Sequence, residues 1–264
     1  MKKTFTILMA AATVCLGAMG LSACGENGPI PEPNGKEITL TVGVTDYEPM
    51  DYRNESGAWV GFDAELAQKV FSNLGYKVKF QEIDWGTKIV TLKAREIDVI
   101  WNGMTITDEL KENLTLSDAY LENRQYGLVK TEYAASYTSI DSLTGKKVAV
   151  EGGSAADSLI KDVKCTKNQL ETQSAAVMEV AAGTSDIAIV DYTMAKTLTA
   201  EGSDYYGMLV AVDLGFEVEE YAVGFRKVDT ALCEKVNAQI QALTESGYMR
   251  ELAQKYGVEN LLKG

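Results

Sequence analysis

IDVIWNGMTITDEL, residues 97–110, reads as a strand that ends at Asn102 and Gly103 and turns toward a helix start near Thr107. Val99, Ile100 and Trp101 follow one another without alternation, as in parallel strands covered on both faces. A second stretch of the same make, DIAIVDY at 186–192, stops on Asp191. In open α/β sheets, ligands sit beyond the carboxyl ends of the strands. Polar residues at these two ends are therefore the expected lining of a shared cleft.

Working outward, Ile38 to Val44 alternates with period two, as a strand does. GFDAELAQKVFSNLG follows, with Phe62, Leu66, Val70 and Leu74 every four residues, Asp63 near the start and Gly75 at the stop, which is the pattern of an amphipathic helix. YKVKF (76–80) reads as a strand and WGTKIVTLKAR as a helix. The order begins again with KKVAV (146–150), a Gly-opened helix in GGSAADSLIKDV, and a helix in SAAVMEVAAG. Strands alternating with helices imply parallel α/β sheets, and the repetition favours two lobes over one continuous sheet. EEYAVGFRKVD returns as a strand. The C-terminal TALCEKVNAQIQALTESGYMRELAQKYG supplies helices, with Val236, Ile240 and Leu243 on one face, that are expected to pack on the first lobe.

The N-terminus has a separate character. Lys2 and Lys3 precede an apolar run from Phe5 to Leu21, the pattern of an export signal over residues 1–23. Leu21-Ser22-Ala23-Cys24 resembles the lipobox of bacterial lipoproteins, which implies a lipid on Cys24 and attachment to a membrane. GENGPIPEPNGKE then holds three of the four prolines, so residues 24–35 are expected to form a solvated tether.

Composition excludes several functions. The formal charge of −13 becomes more negative once Lys2 and Lys3 leave, which disfavours nucleic acid and anionic membrane surfaces and mildly favours cationic ligands. With no histidine in the chain, imidazole triads and His-containing metal sites are excluded. No P-loop, metal-ligand cluster or nucleic-acid motif is present. Cys165 and Cys233 remain after the signal and the lipid site, and are expected to be unpaired thiols.

DYEPMDY, GFDAELAQ, IDVIWNGMTITDE, LSDAYLENRQ, VAVEGGSAAD, SDIAIVDY and EEYAVGFRK together resemble, in order, the solute-binding proteins of amino-acid ABC transporters, across 35–264. The resemblance implies an α/β bilobal clamshell. Lobe 1 would comprise 36–128 plus 223–264, lobe 2 would comprise 129–222, and two hinge strands would join them. It further implies a monomer that does no chemistry, needs no cofactor, and hands an amino acid or amine to a membrane permease on closing.

Residue roles follow from the same resemblance. Tyr47 and Trp85 would supply aromatic walls for the ligand, with burial in the core as the alternative for both. Asn102, Gly103 and Thr105 would hydrogen-bond its amine and carboxylate, whereas Thr107 reads better as a helix cap. Asp191 would pair with an ammonium group, a solvated strand-end carboxylate being the alternative. Gly152, Gly153 and Ser154 precede a helix and would form an anion-accepting nest.

Two positions depart from the pattern. The family motif T-x-E-R ends in an arginine that forks onto the ligand's carboxylate, and this chain has Leu110 there; Ala155 likewise stands where many relatives have a hydroxyl. Three replacements remain open: Arg53 or Arg124 swinging into the cleft, the nest acting alone, or a ligand that is an amine without that carboxylate. A dehydratase-like enzyme on the same fold is the remaining alternative, disfavoured by the lost arginine.

Overall fold

The structure, a computed structural model, describes residues 28–263. The first lobe is built from β1 (Thr39–Val44), the hairpin β2 (Tyr52–Arg53) and β3 (Trp59–Val60), α1 (Phe62–Asn73), β4 (Lys77–Glu82), α2 (Lys88–Lys93), β5 (Val99–Ile100), α3 (Asp108–Asn113) and β6 (Thr115–Leu116). The chain then leaves along β7 (Leu121–Lys130). The second lobe contains β8 (Lys147–Glu151), α4 (Ala155–Leu159), β9 (Thr166–Leu170), α5 (Gln173–Ala182), β10 (Ile187–Asp191), α6 (Tyr192–Thr199) and β11 (Leu209–Val212). The return runs through β12 (Val218–Tyr221) and β13 (Gly224–Phe225) to α7 (Thr230–Glu245) and α8 (Tyr248–Tyr256).

The first sheet has the order β4-β1-β5-β13-β6, with β1 parallel to β4 and β5 and Gly43 opposite Ile100. The second has the order β11-β7-β10-β8-β9, with β8 parallel to both β9 and β10. Both sheets therefore aim the carboxyl ends of their parallel strands into the space between the lobes, which explains why Asn102, Glu151 and Asp191 converge there.

The two crossings form a paired ribbon, β7 against β12, with Leu121 opposite Tyr221 and Arg124 opposite Val218. Gln125 is already opposite Asp191 in the second sheet. Over 121–124 the outward strand thus pairs with 218–221 of the return strand before it joins the second sheet. β7 runs on as one strand through Asn123 and Gly127.

The lobe 1 core is strongly aromatic. Phe71 meets Trp101 edge-on at 5.7 Å, and Phe62 stacks on Tyr120 at 6.4 Å. Val236 and Leu243 of α7 are buried in the same cluster, with Ile240 packed at its margin, so the C-terminal helices do cover lobe 1. Part of the expected tether is held down. The Ile30 amide donates to Asp229 Oδ1 at 2.7 Å, and the Tyr76 hydroxyl donates to the Pro31 carbonyl at 3.1 Å. These bonds satisfy backbone groups that the proline-rich segment cannot pair within itself. Cys165 and Cys233 are free thiols, as expected. Cys24 and the export signal lie outside the described residues. Among those residues, no helix is long and apolar enough to cross a membrane.

Candidate functional site

The cleft is lined from lobe 1 by Trp85, Lys88, Asn102, Gly103, Thr105 and Leu110, and from lobe 2 by Glu151, Gly153, Ser154, Gln173 and Asp191. The lobes stand close, leaving a cavity of about 30 Å³. It adjoins an outer groove of about 440 Å³ that shares Thr105, Thr107, Ala155 and Ser158 with it and is bordered by Glu219.

Lobe 1 supplies a rigid floor. The Thr45 amide donates to Asn102 Oδ1 at 2.7 Å and Asn102 Nδ2 donates to Thr45 Oγ1 at 3.0 Å, a reciprocal pair that locks the ends of β1 and β5 together. Gly103 has φ +54°, and its amide donates to Asp63 Oδ2 at 2.6 Å, an oxygen that also accepts from the Tyr120 hydroxyl at 2.8 Å. Burial raises the Asp63 pKa to about 7 despite those donors. A Cβ on Gly103 would come within 2.6 Å of Tyr47 Cε1, so the Tyr47 ring lies directly against this turn. The Thr105 hydroxyl donates to Glu219 Oε2 at 3.2 Å. Thr107 is the N-cap of α3, accepting from the Leu110 amide at 3.2 Å, as the capping reading expects.

Tyr47 is buried and is not among the cleft-lining residues. Its hydroxyl bonds Thr193 of lobe 2 and, at 2.7 Å, the Tyr221 hydroxyl on the return strand. It therefore bridges the lobes where the sequence reading offers a ligand wall. Tyr47→Phe is expected to cost about 1 kcal/mol and to weaken ligand binding about fivefold by loosening this bridge; urea unfolding and calorimetry would check both. Trp85 does line the cleft, with the Lys88 ammonium 4.7 Å from its ring centroid.

The expected anion nest is already filled. The Gly153 amide donates to Asp157 Oδ2 at 3.0 Å, and Ser154 Oγ accepts from the Asp157 amide at 3.2 Å as the cap of α4. Gly153 instead offers its carbonyl, which accepts from Lys88 Nζ at 2.8 Å. The helix behind it, Ala155–Leu159, is a single short turn, so little dipole supports an anion there. Neither arginine rescue is present. Arg53 lies over Trp59 at 4.4 Å and Arg124 faces Asp213 at 3.5 Å, and neither lines the cleft. Leu110 is 3% exposed, packed with Trp85, Leu92, Ile97 and Ile100.

Carboxylates dominate what remains. Asp191, at the end of β10, accepts from Asn123, from Gln125 Nε2 at 2.7 Å and from Gln173 Nε2 at 2.5 Å, so most of its acceptor sites are occupied. Glu219 shares two of those donors, accepting from Gln125 Nε2 at 2.8 Å and from Asn123 Nδ2 at 3.3 Å. Burial, reinforced by Asp191, raises Glu219 to about 7. Glu151 ends β8, is 2% exposed and has Oε1 without a partner. Burial and then the Asp191 charge lift its pKa to about 8, against a smaller opposing pull from Lys88. Burial lowers the Lys88 pKa.

Sequence reasoning missed Lys88, Gln125, Glu151, Gln173 and Glu219. The rule that found Asp191 applies equally to Glu151, the last residue of its own parallel strand. Lys88 had no such marker, because one lysine in a short amphipathic helix reads as solvated.

Residues 40–259 match the family of bacterial extracellular solute-binding proteins, family 3. The chain belongs to that family. Among curated relatives, the arginine-binding extracellular protein ArtP of Bacillus subtilis is 28% identical over 97% of this chain and 98% of its own length. A substrate-binding protein of an ABC uptake transporter from Streptococcus pneumoniae, solved with bound histidine, superposes with a TM-score of 0.79 at 30% identity, covering 86% of this chain and 95% of that one. An ancestral amino-acid-binding protein described as a precursor of cyclohexadienyl dehydratase is similar with a TM-score of 0.76 at 30% identity, covering 83% and 95%. The fold is the bilobal clamshell of this family, and one of the named relatives is described as the substrate-binding protein of an ABC uptake transporter.

Proposed function

We propose that the chain is the extracytoplasmic receptor of an amino-acid importer and that its ligand carries a positively charged side chain. The observation that carries this reading is the charge inventory of the cleft: Glu151 and Asp191 within it and Glu219 at its edge, against Lys88 as the cationic side chain in its lining. Buried carboxylates gain most from an ammonium or guanidinium, since each would otherwise stay protonated or uncompensated. Relatives named for arginine and histidine agree with this chemistry. Trp85, Thr105 and Asp191 serve as ligand contacts, while Gly103, Gly153 and Ser154, whose polar groups are engaged within the protein, shape the walls around it. Asn102 and Tyr47 act one step back, the first by fixing the strand ends and the second by bridging the lobes. Closure on the ligand presents the receptor to its permease. The protein is held at the membrane by lipid on Cys24, a reading supported by the LSAC sequence alone, and acts as a monomer, as the family resemblance implies.

A second reading, an amine without an α-carboxylate, draws support from Leu110 and from the Gly153 amide being taken by Asp157. A dehydratase reading is poorly supported, because a polycarboxylate substrate would meet more acids than cations. A thermal-shift panel of amino acids tests the proposal. A true ligand at about a hundred times its dissociation constant adds roughly 2.7 kcal/mol, and arginine, lysine or histidine is expected to give the largest shift. Stabilisation by acidic amino acids alone would overturn it.

A further inference from the structure

Lys88 is 7% exposed, yet among the described residues no carboxylate lies within ion-pairing distance of it. Its ammonium donates to the Trp85 carbonyl at 3.1 Å and to the Gly153 carbonyl at 2.8 Å. An ammonium has three N–H groups, so two neutral carbonyls leave one donor and a full charge without an anionic partner. A charge in that position is costly unless something pairs with it.

The same cavity contains the complementary defect. Glu151 Oε1 is buried without a partner, and Glu151 and Lys88 line one space of about 30 Å³ without forming a salt bridge to each other. Leu110 faces that space with an apolar side chain, and Arg53 and Arg124 are engaged elsewhere. An unpaired cation and an unpaired acid in one cavity match a zwitterion, which supplies a carboxylate to the first and an ammonium to the second.

We propose that Lys88, on α2, is the residue that binds the ligand's carboxylate, in place of a charge at position 110, and that Glu151 receives a cationic group of the same ligand. The proposal rests on the receptor reading above and deepens it: the ligand keeps its carboxylate, and the clamp has moved from α3 to α2. A lysine grips as a point charge without the planar fork of arginine, so selectivity among carboxylates should depend on charge more than on geometry.

The test is calorimetric titration of the purified protein and of Lys88→Met and Lys88→Arg. The probes are matched pairs of an amino acid and its decarboxylated amine: arginine with agmatine, histidine with histamine, and lysine with cadaverine. The wild type is expected to prefer the amino acid. Lys88→Met should lower amino-acid affinity roughly thirtyfold or more while leaving the amine within about threefold, and Lys88→Arg should restore most of the loss. An equal loss for both members of a pair would make Lys88 only an interlobe bond to Gly153 and overturn the proposal, as would no loss at all. A wild type that prefers amines overturns it in favour of the amine reading. A wild type that binds no member of the panel overturns both this proposal and the cationic-ligand reading. If Lys88→Met does not fold, the wild-type preference and the Lys88→Arg titration still decide the matter.

Discussion

Gly153→Ala lowers ligand affinity about a hundredfold while both lobes stay folded. Gly153 has φ +71°, and a Cβ built there lies 2.7 Å from the Cα of Gly86 in the opposite lobe. The obstacle is backbone, so no flexible side chain can swing aside. The left-handed conformation itself costs an alanine about 1 to 2 kcal/mol, and this strain is felt whether the cleft is open or shut. The contact with Gly86 arises only when the lobes meet, so it acts on closure. Overpacking of this kind costs about 1 to 3 kcal/mol, and the upper figure reduces the binding-competent population about a hundredfold. It also displaces the Gly153 carbonyl that Lys88 holds. Titration calorimetry measures the loss, and small-angle scattering with ligand present should show a more open molecule than the wild type. Unchanged affinity would mean that productive closure does not bring Gly86 and Gly153 together.

The second large effect is on pH. Glu151 has a folded pKa of about 8 and Glu219 of about 7, both because burial penalises the charged form, while an unfolded glutamate titrates near 4.3. Asp63, at about 7, behaves alike. For these groups the native state holds protons that the unfolded chain releases. Their contribution is therefore fully present below the unfolded pKa and is lost as pH rises toward 8. Glu151 alone should make the unliganded protein less stable at pH 8 than at pH 5 by on the order of 3 kcal/mol, with Glu219 and Asp63 adding in the same direction, measured by urea unfolding. Ligand affinity should move the opposite way. A cation that pairs with ionised Glu151 displaces a proton, so its affinity should rise up to about tenfold per pH unit between pH 6 and 8. Glu151→Gln should flatten that dependence.

Much of the fold was legible because its signals are local and redundant. The apolar runs of β5 and β10, the four-residue period of α1 and the Thr107 cap each declare themselves within a few residues. The site was only half legible. The strand-end rule picks out Asn102 and Asp191, yet the structure commits Asn102 to Thr45 and surrounds Asp191 with amide donors, facts that depend on partners distant in sequence. The same rule points to Glu151, which the reading passed over because attention rested on the glycines after it. Tyr47 could not be assigned from sequence, since an aromatic wall and a buried bridge between lobes have the same composition. Lys88 was illegible for a physical reason: whether a lysine is solvated or buried depends on what the second lobe places over it, here the Gly153 carbonyl. The nest reading took no account of Asp157, four residues on, which turns back onto the Gly153 amide.

The central claim is that the cleft selects a positively charged amino acid. Its most direct test is calorimetric titration of the protein with the proteinogenic amino acids near pH 7, in two buffers of different ionisation enthalpy. The account predicts that arginine, lysine or histidine binds most tightly and that the heat depends on the buffer, because Glu151 gives up a proton on binding. An uncharged or acidic amino acid that binds more tightly than every cationic one, with no buffer dependence, would contradict it.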